Sequence, residues 1–495
     1  MKKISFLTAS CCLMLVSFCI ATPFNSDIDH IDHSTTESIT CEEDVIAVNQ
    51  HLIFFKADSI FTIASSEKLM HNHVCLARIF RLKPTGFVVV TASKRLPPVL
   101  AYSFENSFGE PGPHNPMYAM IQADIRSRLE YFDLNGGGIL EQHNPEWDTC
   151  LNQPNRDKSS TGFQQWPEVG NGWLKTNWTQ NYPYNDLCPI DPVTMARSLA
   201  GCPAVAMAQI VNFHQTTNNT HFNDDDDYYH NYAGRQYWID DDYATYDFPS
   251  YPELNDYLDT LNSHYANNTG LTNQDMAALT FACGVACKQV FTSQVSGTFG
   301  VNQAFDAYMR FGFSEASLLD ESSFNVYKRI QQNIKDTLPV HLAVVDVNWT
   351  VGHNVVIDGY NTNEYFHLNF GWGGSSNGWY LLPQEIPYNL NVIEGVVVDI
   401  GHTTTALAEY DLDRKIKMFL FPNPAVDEVN IELPCSFNPP YNIQIFNPIG
   451  YEIITIENIR SINIKLNLSN YERGIYIFQL SDRQGIVGRQ KLILE

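Results

Sequence analysis

At 495 residues the chain exceeds a single small module, and at about 150 residues per domain it holds roughly three folded units. With 30 Lys plus Arg against 55 Asp plus Glu, its formal net charge of −25 excludes electrostatic attraction to a phosphate backbone, so no nucleic-acid partner is expected. Hydrophobic residues at 44%, aromatics at 13% and charged residues at only 17% exclude a disordered composition and suit large buried cores.

In chain order, Met1-Lys2-Lys3 precedes the apolar run Ile4–Ile20 and small Ala21. A basic start, a run shorter than the roughly 20 residues of a spanning helix, and a small exit residue predict a secretory signal peptide over residues 1–21. The next region, residues 22–145, has strand-like runs at Leu52–Phe55 and Gly86–Ala92, then a helical pattern at Tyr118–Tyr131. Gly136-Gly137-Gly138 reads as a linker. The segment Cys150–Gly172 reads as a loop that exposes Arg156-Asp157-Lys158 to proteases. Residues 146–401 combine one strongly apolar helix with a strand-rich later half. Residues 418–495 alternate short strands (Asn442–Ile445, Tyr451–Ile456, Gly474–Leu480) with turns, the pattern of a small β-sandwich.

Of the 11 Cys, Cys11, Cys12 and Cys19 lie in the signal segment and the rest are scattered, with no Cys-x-x-Cys pair to suggest zinc. Cys283 and Cys287 fall on one face of the helical segment Met276–Val290, as small buried residues do. His71-Asn72-His73 reads as a solvated loop. The acidic runs Asp224–Asp227 and Asp240–Asp242 lack the glycine and spacing of a calcium loop and read as a solvated insertion, so no metal site is expected.

Two segments carry chemistry. In Gly201-Cys202-Pro203-Ala204-Val205-Ala206-Met207-Ala208-Gln209-Ile210-Val211, Cys202 opens a small, apolar helix, and Pro203 suits the first turn, where an N–H has no intrahelical partner. The positive end of the helix dipole favours thiolate over thiol there. Position alone leaves both readings open, nucleophile and buried structural cysteine. The second segment, Val351–Gly374, reads as two strands joined by a turn at Asn361-Thr362-Asn363. A hairpin with its turn centred near Asn361 sets His353 opposite Asn369, so that an amide oxygen orients an imidazole able to exchange a proton with a thiol. His367 competes with His353 for that role on composition alone.

These motifs resemble the streptopain family of papain-like cysteine peptidases. The family's nucleophile motif, Gly-Cys-Val-Ala-Thr-Ala-x-Ala-Gln-Ile, is matched at Gly201, Cys202, Ala204, Ala206, Ala208, Gln209 and Ile210, with departures at Pro203 and Val205. Its histidine motif, Gly-His-Ala-Phe-Val-Ile-Asp-Gly, is matched at Gly352, His353, Val356, Ile357, Asp358 and Gly359. Its Asn-Trp-Gly-Trp-Gly-Gly motif is matched at Asn369 and Gly371–Gly374, with Phe370 in place of the first tryptophan. The stretch Trp178–Asn185 resembles the start of the mature enzyme, which makes Gln180 the oxyanion-hole glutamine beside the backbone N–H of Cys202. The stretches Gly86–Ala92 and Arg95–Ser103 resemble the family's inhibitory prodomain. Phe421–Ala425, Ile443–Asn447 and Gly474–Tyr476 are similar to a type IX secretion sorting domain.

The resemblance implies an α+β fold: a papain-like catalytic domain with a helical half and an antiparallel β half (146–401), an α+β inhibitory prodomain (22–145) and a C-terminal all-β sandwich (418–495). It implies a secreted or surface cysteine endopeptidase made as an inactive precursor, with Cys202, His353, Asn369 and Gln180 as catalytic residues and no cofactor. The implied partners are protein or peptide substrates, its own prodomain, and the outer-membrane secretion machinery. A catalytically inactive surface binding protein on the same scaffold is the alternative reading.

Overall fold

The computed structural model describes residues 39–110, 115–134, 144–152, 162–319, 326–345, 352–382, 393–401, 418–433, 441–446, 452–482 and 485–494. The signal segment, Gly136-Gly137-Gly138, Arg156-Asp157-Lys158 and Cys435 lie outside them. The front region runs α1 (Cys41–Phe54), β1 (Thr62–His71), β2 (Val74–Lys83), β3 (Phe87–Thr91), β4 (Val99–Ser103), α2 (Pro116–Leu134) and α3 (Pro145–Asn152).

The strand expected at Leu52–Phe55 is instead the end of α1. A reciprocal cap between Thr40 and Glu43 starts that helix, and Ala47, Val48 and Leu52 share its buried face, so four apolar residues that mimic a strand belong to a longer helical period. The segment expected to be a loop from Cys150 begins as the last turn of α3, whose Trp147 is fully buried. His71-Asn72-His73 forms the β1–β2 turn, with positive φ at Asn72 and His73.

The middle region begins with β5 (Gln165–Trp166) and α4 (Cys202–His214), then β6 (Tyr228–Tyr232), β7 (Arg235–Ile239), α5 (Tyr243–Tyr246), α6 (Tyr251–Ala266), α7 (Asn273–Ala286) and α8 (Val301–Arg310). Its β half follows as β8 (Ser317–Leu319), α9 (Val326–Lys335), β9 (Val340–Val345), β10 (Gly352–Asn361), β11 (Tyr365–Asn369), β12 (Gly378–Leu381) and β13 (Ile393–Val398). This is the helical half and antiparallel β half that the sequence implies.

One sheet joins the front region to that β half, in the order β1-β2-β3-β4-β12-β11-β10-β9-β13-β8, with β5 added on β10. The join is the antiparallel pairing of Tyr102 with Trp379 and Ala101 with Tyr380. The sheet is covered on both faces, and alternation along the strands sorts its residues. Ala343, Val356 and Val397 enter the core formed with α4, α6, α7 and α8. Leu342, Val344, Val355, Ile357, Val396 and Val398 enter the opposite core, with Met117 and Ile121 of α2 and Ile330 and Ile334 of α9.

The C-terminal region is all-β: β14 (Phe419–Phe421), β15 (Glu428–Glu432), β16 (Tyr441–Phe446), β17 (Glu452–Ile459), β18 (Asn463–Asn467), β19 (Gly474–Asp482) and β20 (Gly485–Leu494). A three-stranded sheet, β14-β15-β18, and a four-stranded sheet, β17-β16-β19-β20, share one core that includes Val429, Ile431, Ile443, Ile445 and Phe478. No helix among the described residues is long and apolar enough to cross a membrane.

Both acidic runs are structural. Asp226 accepts from Arg310 at 2.7 Å, Asp240 Oδ1 from the Tyr251 N–H at 2.7 Å, and Asp242 Oδ2 from the Trp238 N–H at 2.7 Å. A buried ion pair lies elsewhere, where Arg235 Nε and Nη2 fork onto Asp191 at 2.8 and 2.7 Å. Burial alone would raise the Asp191 carboxyl, but Arg235 and the Ser293 N–H and hydroxyl hold it far below the usual carboxylate range. Asp191→Ala strands a buried guanidinium and is expected to lose about 3–5 kcal/mol in a urea unfolding curve. The double replacement Asp191→Leu/Arg235→Met, which removes both charges, is expected to recover most of that loss.

Candidate active site

Helix α4 is buried from Pro203 to Val211, while Cys202 at its first position is partly exposed. Burying Val205, Met207, Ile210 and Val211 contributes about 1.5–3 kcal/mol each, which fixes the helix and therefore its first residue. Gly201 before it has φ +86°, and a Cβ there would meet Gln289 Oε1 at 2.6 Å, so only glycine allows this entry to the helix. The entry is strapped by three hydrogen bonds. Gln289 Nε2 donates to the Ala200 carbonyl at 2.7 Å, the Ala200 N–H to the Gln180 carbonyl at 2.9 Å, and the Leu199 N–H to the Thr292 carbonyl at 2.9 Å. Gln180 thereby lies beside the turn that presents Cys202. Burial pushes the Cys202 thiol up from its ordinary value, against hydrogen bonds from Asn354 that pull it down.

His353 and Asn369 are not cross-strand neighbours, contrary to the hairpin expectation. Asn369 pairs with Val356, and His353 pairs with Val344 on β9. The turn closes from Asn361 to Glu364, where the Glu364 N–H donates to the Asn361 carbonyl at 2.9 Å, and a bulge between Ile357 and Gly359 adds a further shift. Gly359 permits that bulge, since a Cβ there would meet His367 Cβ at 2.6 Å.

His353 Nε2 donates instead to the Phe370 carbonyl at 2.8 Å, and its ring stacks on Trp372 with centroids 4.6 Å apart. Asn369 holds α4: its Nδ2 donates to the Thr176 carbonyl at 2.8 Å, and its amide pairs with that of Gln209 at 3.3 Å. Asn369 is therefore connected to His353 only through the main chain beside it, where the Gly371 N–H donates to Asn369 Oδ1 and the Phe370 carbonyl accepts from the imidazole. Phe370 replaces a tryptophan of the motif, yet it remains buried, and its ring lies within 2° of parallel to the His353 ring. His367, the competing histidine, pairs through Nδ1 with Asp358 Oδ1 at 2.6 Å, and Asp358 Oδ2 accepts from the Leu174 N–H at 2.9 Å.

The front region grips the loop that follows Phe370. The Ser376 N–H donates to the Ser107 carbonyl at 2.7 Å and its hydroxyl to the Phe108 carbonyl at 2.8 Å. Arg128 of α2 donates to the Leu381 carbonyl at 2.6 Å. One polar neighbour of the thiol escaped the sequence reading: Asn354 Nδ2 donates to Cys202 Sγ at 3.9 Å. Its signal was the asparagine itself, where the histidine motif has alanine.

Burial pushes His353 down to about 4, against the Phe370 carbonyl, and His341 down to about 4, against Asn354. Both bind a proton more readily when unfolded, near 6.5, so their stabilising contribution is complete above that value and is lost as the pH falls towards 4. The melting temperature is expected to drop between pH 6.5 and 5. The drop should be shallower in His341→Gln, measured by differential scanning calorimetry.

Residues 178–380 match the sequence profile of the Peptidase C10 family, and residues 419–495 match a secretion system C-terminal sorting domain. The thiol protease/hemagglutinin PrtT of Porphyromonas gingivalis is 26% identical over 333 residues, which cover 64% of this chain and 35% of that protein. The chain thus spans about a third of PrtT. Streptopain of Streptococcus pyogenes is 24% identical over 327 residues, covering 61% of this chain and 73% of that protein. Among solved structures, a prointerpain A fragment from Prevotella intermedia aligns with a TM-score of 0.47 and 20% identity, covering 68% of this chain and 98% of the other.

Proposed function

We propose, from the premise that residues 178–380 are a Peptidase C10 domain and residues 419–495 a sorting domain of an exported protein, that this chain is a cysteine endopeptidase held inactive by its front region. The observation that carries the reading is the approach of β10 to the start of α4. Asn354 Nδ2 lies 3.9 Å from Cys202 Sγ, and His353 is its immediate neighbour on the strand. A partly exposed thiol at a helix N-terminus, met by the strand that carries His353, supports nucleophilic catalysis, with the imidazole starting on the other face of β10 from Asn354 and turning to the thiol on activation.

In the proposed mechanism Cys202 passes its proton to His353 and the thiolate attacks a peptide carbonyl. The Cys202 backbone N–H and the Gln180 side chain stabilise the oxyanion. The imidazolium protonates the leaving amine, and water hydrolyses the thioester. Asn369 fixes the strand end that carries Phe370, and Gln209 anchors Asn369 to the nucleophile's own helix. The substrate is a protein or peptide, and the sorting domain engages the outer-membrane secretion machinery.

The resting geometry supports the precursor reading. The His353 N–H is committed to the Phe370 carbonyl, burial keeps the imidazole neutral, and burial keeps Cys202 a thiol. A neutral pair of this kind has no ready nucleophile. Ser107 and Phe108 hold Ser376, so the loop over His353 is braced by the segment that activation removes. Cutting between residues 134 and 162 releases that brace and lets the imidazole leave the carbonyl.

The full chain is expected to lose its front region and then cleave unstructured peptides in a thiol-dependent way. Cys202→Ala abolishes both, and Gln180→Ala lowers kcat by about 10²–10³ with a smaller change in KM. Intact-mass analysis and peptide turnover read the two effects. Unchanged maturation of Cys202→Ala in isolation, or turnover that survives it, contradicts the reading.

A further inference from the structure

Cys202 has a polar support that the Cys–His–Asn chemistry leaves without a role. Asn354 donates Nδ2 to Sγ at 3.9 Å, its Oδ1 lies 2.7 Å from His341 Nε2, and the Tyr308 hydroxyl lies 3.1 Å from His341 Nδ1. The three side chains come from β10, β9 and α8 and are all buried. In the β9–β10 register, His341 pairs with Val356 and Asn354 with Ala343, so the two side chains sit diagonally on one sheet face.

With Asn354 oriented as in the structure, Oδ1 towards His341, donor and acceptor counting places the protons. An amide oxygen only accepts, so His341 Nε2 carries the hydrogen that meets Asn354 Oδ1. In the neutral ring Nδ1 is then bare and takes the Tyr308 hydroxyl hydrogen. Burial, which pushes His341 down to about 4, favours that neutral form. With Oδ1 committed to His341, the amide turns its NH2 group to the sulfur. The flipped amide would set oxygen lone pairs against a thiolate and would call for the other His341 tautomer, with Nδ1–H donating to the Tyr308 oxygen.

We propose that Asn354 is a hydrogen-bond donor to the Cys202 thiolate, its amide held in that orientation by His341 and Tyr308, so that the nucleophile has a stabilising contact independent of His353. A hydrogen bond to a charged acceptor is about twice as strong as one to a neutral acceptor, so the contact favours thiolate over thiol and tightens as charge develops. It opposes the burial that raises the thiol. Cys287, which also feels Cys202, is buried, and burial pushes its thiol up. Asn354 touches the reacting atom, while His341 and Tyr308 are positioning residues. The inference rests on Cys202 being the proposed nucleophile.

The test is the pH dependence of iodoacetamide alkylation of Cys202 in the full chain, followed on the Cys202 peptide by mass spectrometry. It needs no turnover. Asn354→Ala is expected to raise the alkylation midpoint by about one pH unit, equivalent to roughly tenfold slower labelling at pH 7. His341→Ala should shift the midpoint the same way, while His341→Gln, whose amide N–H still reaches Asn354 Oδ1, should stay near the parent. Buried Cys188, Cys283 and Cys287 report folding, since they label only if the chain opens. If Asn354→Ala labels them, the His341→Ala and His341→Gln pair decides. A midpoint unmoved in folded Asn354→Ala, or His341→Gln behaving like His341→Ala, overturns the proposal. Failure of the front-cleaved parent to bind a thiol-reactive peptide-like inhibitor sinks the peptidase reading instead, and is seen separately.

Discussion

Helix α4 lies in the centre of the molecule only because Pro203–Val211 present small or apolar side chains on every side, apart from one amide. That amide, Gln209, is fully buried and accepts from the Thr176 hydroxyl at 2.8 Å while pairing with Asn369 at 3.3 Å. An unmatched amide there would cost about 1–3 kcal/mol, so the helix and the end of β11 are held in one relative position. The rest of the site is referenced to this contact. Cys202 is fixed by the helix, Phe370 and Trp372 by Asn369, and the His353 ring by the carbonyl and indole those residues supply.

The second constraint is the shared sheet. The front region is hydrogen-bonded into the β half of the middle region through β4 and β12, and Tyr365 of β11 donates its hydroxyl to the Val99 carbonyl at 2.7 Å. Removing it therefore exposes a strand edge and frees the loop from Gly371 to Ser376. A brace built into a sheet is rigid while present and is lost as a unit, the behaviour an irreversible proteolytic switch requires.

Much of this was legible in the sequence, for physical reasons. Gly201-Cys202-Pro203 before an apolar run marks a helix start, and the period-two alternation after Met418 marks a sandwich, because both signals are local. His353 and Asn369 were legible as residues but not as a geometry. A bulge at Ile357–Gly359 and a turn displaced towards Glu364 slid the register, and nothing in the turn residues announces the bulge. Leu52–Phe55 misled because four apolar residues carry no period of their own. The β4–β12 pairing joins residues far apart in the chain and leaves no local trace. Asn354 was visible only as a polar residue in an apolar strand, and its meaning came from the elements around it.

In the proposed precursor the front region holds the His353 imidazole on the Phe370 carbonyl by bracing the loop beyond Phe370. The most direct test is the labelling rate of Cys202 with a thiol-reactive peptide-like inhibitor, compared by intact mass between the full chain and the same chain cut between residues 134 and 162. Labelling of the cut form is expected to be at least a hundredfold faster (about 2.7 kcal/mol). Equal rates in the two forms would contradict it.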